Sequence, residues 1–86
     1  MKKIAYWEDK AKKIWEERGI DMEELANLIE HKEYITALPN PWHPHQEKFV
    51  VMYHWYVVSA PYVEDEEKIF LKTAYYDRKL NKQFNH

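Results

Sequence analysis

The chain has no cysteine, one glycine and two arginines among its 86 residues. Without Cys there is no disulfide, no thiolate zinc site and no cysteine nucleophile, which leaves His and carboxylates as the metal-binding side chains. With Gly19 alone no glycine-rich phosphate loop can form, and Gly-x-Ser-x-Gly, His-Glu-x-x-His and EF-hand patterns are absent. Nucleotide-dependent, serine-hydrolase and zinc-protease chemistries therefore have no motif to rest on. No apolar run approaches the roughly 20 residues that span a bilayer. The stretch Met1-Lys2-Lys3-Ile4-Ala5-Tyr6-Trp7-Glu8 reaches acidic residues before a signal-peptide core could form, so a cytoplasmic protein is expected.

What is present is a high share of large side chains: 45% hydrophobic, 16% aromatic and 33% charged, with four Trp and seven Tyr. This excludes disorder and predicts a single domain over 1–86, with the large aromatics supplying much of the core. The formal charge of −2 argues against non-specific adhesion to nucleic acid. Charge is uneven, however. Residues 68–86 hold Lys68, Lys72, Arg78, Lys79 and Lys82 against Asp77 alone, whereas Glu64-Asp65-Glu66-Glu67 forms an acidic run suited to a solvated hairpin tip.

Lys3 to Trp7 reads as a short strand or an extended lead-in. Trp7, Ala11, Ile14 and Trp15 then share one face of a helix over about 9–18, which Gly19 ends from a left-handed position. Asp21 caps a second helix running to about residue 30 or 31, with Glu24 completing a capping box and Ile20 and Leu25 placed as a hydrophobic staple. Residues 34–37 have strand composition, and Pro39, Pro41 and Pro44 forbid regular structure through His45. Apolar runs at 49–53, 55–58 and 68–75 predict three more strands. Between the first two, His54-Trp55 lacks turn residues, so a tight turn and one long bent strand are both open. Pro61 implies a sheet edge or a bulge. Asp77, with Leu80 and Phe84 four apart, starts a short terminal helix. The resulting class is α+β, a helix pair on one face of a small twisted antiparallel sheet, with the other face partly open and carrying aromatic, His and Lys side chains.

Two constellations carry chemistry. Trp42-His43-Pro44-His45 places two His two residues apart, which supports three readings: a metal site completed by His54 or His31, acid-base work near neutrality, or polar loop residues beside a Trp42 that anchors the loop on the core. Tyr75 and Tyr76 followed by Arg78 and Lys79 place phenols beside cations. That combination suits base stacking and phosphate neutralisation on single-stranded RNA, and equally suits tyrosines that cap a core.

The lead Tyr6-Trp7-Glu8-Asp9-Lys10-Ala11-Lys12, the junction Glu17-Arg18-Gly19-Ile20-Asp21-Met22-Glu23-Glu24, and a meander ending in Thr73-Ala74 before a basic helix together resemble the BrnT-like toxins of the RelE/ParE-like toxin-antitoxin group. The resemblance covers nearly the whole chain in layout. It implies a metal-independent endoribonuclease that needs no cofactor, acts on RNA and is silenced by a partner antitoxin. On that resemblance the site residues are Arg78 and Lys79, with Lys72 in the last strand and Lys48 beside His45 as the candidate base; Tyr75, from the phenol–cation pairing, completes the expected set. This chain has Tyr75 and Tyr76 where BrnT-like sequences tend to place Arg and Lys, and it has few guanidinium groups for bidentate phosphate binding. A second class is open: a non-catalytic protein-binding module, or a ParE-like poison, using the exposed aromatics of a near-neutral surface.

Overall fold

The structure, a computed structural model, describes residues 2–85. The chain runs β1 (Lys3–Ala5), α1 (Glu8–Arg18), α2 (Met22–Glu30), β2 (Thr36–Pro39), β3 (Glu47–Tyr53), β4 (Tyr56–Glu64), β5 (Lys68–Leu71), β6 (Tyr75–Tyr76) and α3 (Arg78–Phe84). The class is α+β, with one sheet ordered β1-β5-β4-β3-β2 and β6 paired to β4. The sheet is not wholly antiparallel: β1 runs parallel to β5, with Ile4 opposite Ile69. A parallel partner requires a long crossover, and everything from α1 to β4 lies between the two strands.

Gly19 sits at φ +68 and its N–H donates to Trp15 O at 2.9 Å, which ends α1 as the sequence predicts. Asp21 Oδ1 accepts from Glu23 N–H at 2.9 Å and Glu24 N–H at 3.4 Å. Only this half of the capping box forms. The Asp21 N–H donates to Tyr53 Oη at 2.9 Å, and Glu24 Oε2 lies 2.7 Å from His54 Nε2. A local motif has been exchanged for two tertiary bonds that tie the start of α2 to the end of β3.

Strand parity sets the two faces. Phe49, Val51 and Tyr53 of β3 and Val58, Ala60 and Tyr62 of β4 pack with Ile14, Ile20, Met22, Leu25 and Ile29 of the helix pair. The alternate residues Val50 and Val57 pack with Leu80 and Phe84 of α3 on the opposite face. Because both faces of β3 and β4 are covered here, their sequences read as near-continuous apolar runs. The tryptophans do not fill this core, contrary to the sequence expectation: Trp7, Trp15, Trp42 and Trp55 are 54%, 58%, 81% and 87% exposed. β-branched residues and the stacked pair Phe49–Tyr62, with centroids 4.1 Å apart, occupy it instead. Of the stripe expected on α1, Ile14 alone is fully buried.

Of the two alternatives at His54-Trp55, the tight turn forms. Both residues have positive φ, 49° and 71°, as a two-residue hairpin requires, although neither is Gly, Asn or Asp. Such backbone is strained for side chains with a Cβ. The Glu24–His54 contact holds it from α2, and Asn85 Nδ2, donating to Trp55 O at 2.7 Å, holds it from the residue after α3. Pro39 belongs to β2 rather than to the loop, at the last position of an edge strand where the missing N–H is tolerated. The acidic run forms an exposed tip in which Asp65 Oδ1 accepts from Glu67 and Lys68 N–H, both at 2.8 Å. Among the described residues no helix is long and apolar enough to cross a membrane.

Candidate functional site

Pro61 lies inside β4 and is buried. Its carbonyl accepts from Lys72 N–H at 2.8 Å, so its missing N–H faces the same neighbour. There the ladder is broken: Leu71 pairs with Tyr62 and Tyr75 pairs with Ser59, which leaves Lys72, Thr73 and Ala74 opposite only Ala60 and Pro61. This is a one-residue β-bulge, one of the two possibilities Pro61 implied. Arg18 closes it from the end of α1, its Nη1 donating to Ala74 O at 2.7 Å.

The bulge decides where Tyr75 points. By strict alternation Tyr75 shares the parity of Ile69 and Leu71, which face the helix pair. One extra residue reverses that parity and places Tyr75 with its partner Ser59 on the opposite face. Tyr75 there lines an open cleft of about 530 Å³ together with Lys10, Trp42, His43, Lys72 and Thr73, over Asn40, Gln46 and Pro61. Among the described residues no carboxylate lines it. Tyr76 takes the helix-pair side, edge-on to Tyr56 at 5.5 Å.

The far wall is the loop between β2 and β3, and Asn40, buried at 5% exposure, organises it. Asn40 N–H donates to Gln46 O at 3.0 Å, His43 N–H to Asn40 O at 3.2 Å, and Trp42 N–H to Asn40 Oδ1 at 3.1 Å. The prolines and Asn40 together hold Trp42 outward, so Trp42 does not anchor the loop on the core. His43 and His45 are directed to different places. His43 lines the cleft, while His45 lines a separate cavity among Glu47, Glu64, Asp65 and Glu66. Among the described residues no three His, Asp or Glu side chains are grouped to hold a metal ion.

The six site residues expected from the sequence are therefore divided. Lys72 and Tyr75 meet in the cleft; Lys72 Nζ also lies 4.9 Å from the Trp7 ring centroid. Lys48 is 8% exposed on β3, and its Nζ lies 3.4 Å from Asp77 Oδ2 rather than in the cleft. Asp77 also accepts from Ser59 Oγ at 2.7 Å and caps α3 through Leu80 N–H at 3.0 Å. Burial pushes the Asp77 carboxyl up, but the Leu80, Ser59 and Lys48 contacts outweigh it and hold the group below the ordinary carboxylate range. Arg78 and Lys79 are exposed on the first turn of α3, outside the cleft lining. Lys10, Trp42 and His43 are not among the site residues expected from the sequence, which favours His45 over His43 as the base; the structure places His43 in the cleft and His45 outside it. Only the packing of α1 beside the bulge brings Lys10 to this surface.

No protein-family model matches the chain, and no curated protein and no solved structure matches it either.

Proposed function

We propose that the chain is the toxin component of a toxin-antitoxin pair on a RelE/BrnT-like plan, cleaving RNA without a metal in the cleft between the Asn40 loop and the β5–β6 bulge. The observation that carries this reading is the composition of the cleft: two ammonium groups, an imidazole, a phenol and an exposed indole, with no carboxylate among them. The order of strand, helix pair, meander and terminal helix supports the same reading, since it is the layout the resemblance implies.

The chemistry needs three groups. His43 takes the proton of the 2′-hydroxyl as that oxygen bonds to the adjacent phosphorus. Lys72 and Lys10 stabilise the charge that develops on the phosphoryl oxygens, as fixed cations do at a partly enclosed site. As the bond from phosphorus to the 5′-oxygen breaks, the Tyr75 phenol donates the proton to the leaving oxygen. Trp42 offers a face for a flanking base. Arg78 and Lys79, on the first turn of α3, contribute to the field that attracts the RNA backbone, and Lys48 and His45 stand outside the reacting groups.

The test is induced expression in a bacterial host followed by primer extension on total RNA. Growth arrest with new discrete RNA ends that vanish in Lys72→Gln is the expected result. Arrest without new ends would overturn the ribonuclease reading in favour of a protein-targeting poison. That second reading rests on a separate surface, where Trp15 and Tyr76 flank a cavity of about 260 Å³ that shares no lining residue with the cleft.

A further inference from the structure

Trp7 is an anomaly at its position. It is the N-cap of α1, where Ser, Asp or Asn would satisfy the first free N–H groups, yet its side chain makes no capping bond. More than half of the residue is exposed, so core packing does not account for it either. What surrounds it is a second cavity of about 330 Å³, walled by Trp7, Phe70 and Val63 and bordered by Lys68, Lys72, Glu64 and Asp65. Trp7 meets Phe70 edge-on at 5.0 Å, and the Lys72 ammonium lies over both rings, 4.9 and 5.6 Å from their centroids. Lys72 is the one residue that lines both this cavity and the cleft.

From this arrangement we propose that the Trp7–Phe70 cavity is a nucleobase-binding subsite contiguous with the cleft, so that the ligand is an unpaired RNA strand of at least two nucleotides crossing Lys72. The inference rests on the cleft being an RNA site. The apolar walls and the indole suit the face of a base, since stacking on an aromatic needs no particular base identity. Lys72, between the two cavities, is placed for the phosphate that joins successive nucleotides, and among the described residues no carboxylate lies within ion-pair distance of it. Asp65 and Glu64 border the cavity, the latter paired with Lys2 Nζ through Oε2 at 2.6 Å; their remaining carboxylate oxygens suit exocyclic amino groups better than a phosphate, so the subsite takes the base and not the backbone. A duplex does not fit this scheme, because its bases are stacked on each other and their faces are closed to Trp7.

The experiment is fluorescence anisotropy with end-labelled 2′-O-methyl oligonucleotides, which have no free 2′-hydroxyl and report binding without cleavage. Wild type should bind a hexanucleotide and should gain affinity on going from a mononucleotide to a dinucleotide. Trp7→Ala should weaken the hexanucleotide about tenfold, as loss of one stacked base does, and should erase the gain at the second nucleotide. Trp7→Phe should recover most of the affinity, and Trp15→Ala, with its indole outside both cavities, should bind as wild type. A further readout does not depend on Trp7→Ala folding: saturating dinucleotide should quench wild-type tryptophan fluorescence more than that of Trp7→Phe. Equal affinity and equal quenching across the Trp7 variants, with the hexanucleotide still bound, would overturn the subsite and leave the cleft standing. Wild type binding a duplex as well as the single strand would also overturn it. No binding of any RNA by wild type would overturn both this inference and the function on which it rests.

Discussion

The Asp77 carboxylate holds the Lys48 ammonium at 3.4 Å beneath α3, with both side chains close to nine-tenths buried. The same carboxylate accepts from Ser59 Oγ and caps the helix, so one side chain joins β3, β4 and α3. Asp77→Ala removes the cap and leaves Lys48 buried without a partner, and should cost about 2–3 kcal/mol in denaturant unfolding. Lys48→Met keeps the apolar stem and should cost about 1 kcal/mol, and under the proposed function it should leave RNA cleavage near wild type. Because the folded carboxyl titrates below its ordinary value, its stabilising contribution is complete above about pH 4 and is lost as pH falls through the folded pKa. Acid unfolding of wild type should therefore be steeper below pH 4 than that of Asp77→Asn.

The two loop histidines should separate in activity. His43 lines the cleft with Lys72 and Tyr75, whereas His45 stands among four acidic residues and Tyr62. On the proposed ribonuclease reading, His43→Gln is expected to lower the single-turnover cleavage rate by about 100-fold, the scale of a lost general base. His45→Gln should change it by less than about twofold. The reverse pattern would move the base to His45.

Strain at the β3–β4 turn predicts a stabilising substitution. Trp55 has φ 71° and is 87% exposed, so Gly relieves the backbone and gives up little burial. Trp55→Gly should gain about 1 kcal/mol and raise Tm by about 4–8 °C. A lower Tm would mean that the indole contributes more to the fold than its exposure suggests.

At the other end of the pH range the relevant group is Tyr62. Burial, with Glu47 and Glu64 nearby, pushes its phenol up to about 12. A raised folded pKa means that the neutral form is stabilised in the fold. This contribution is present below about pH 10 and lost as pH rises towards 12. Burial also raises Tyr6 and Tyr53, so absorbance titration at alkaline pH should show a late group of tyrosines with Tyr62 ionising last, as the protein unfolds. Tyr62→Phe should remove that last step and flatten the alkaline loss of stability.

Much of this protein's local structure was legible in its sequence because it is decided within a few residues. Gly19 in a left-handed position, the Asp21 and Asp77 caps, the exposed acidic tip and the order of elements all follow from backbone sterics and side chains acting on their immediate neighbours. The α+β class follows from helical periodicity preceding β-rich runs. Pro61 even marked the region of the bulge, since a missing donor inside an apolar strand needs a place where the ladder is broken.

The site itself depended on contacts distant in sequence. The β5–β6 bulge reverses the parity of Tyr75, which no local pattern records, since the extra residue is defined only against β4. The reciprocal bond expected from Glu24 to the Asp21 N–H is displaced: that N–H donates to Tyr53 and the Glu24 carboxylate meets His54, both about 30 residues further along the chain. Exposure of all four tryptophans ran against their hydrophobicity, because burial is set by which surfaces meet in three dimensions and not by the side chain alone. The sequence by itself determined the helices, their ends and the class of fold, through short-range sterics and periodicity. Which lysines are ion-paired, which histidine faces the cleft and which tyrosine turns towards it were decided by strand register and packing, interactions that exist only once distant segments are brought together.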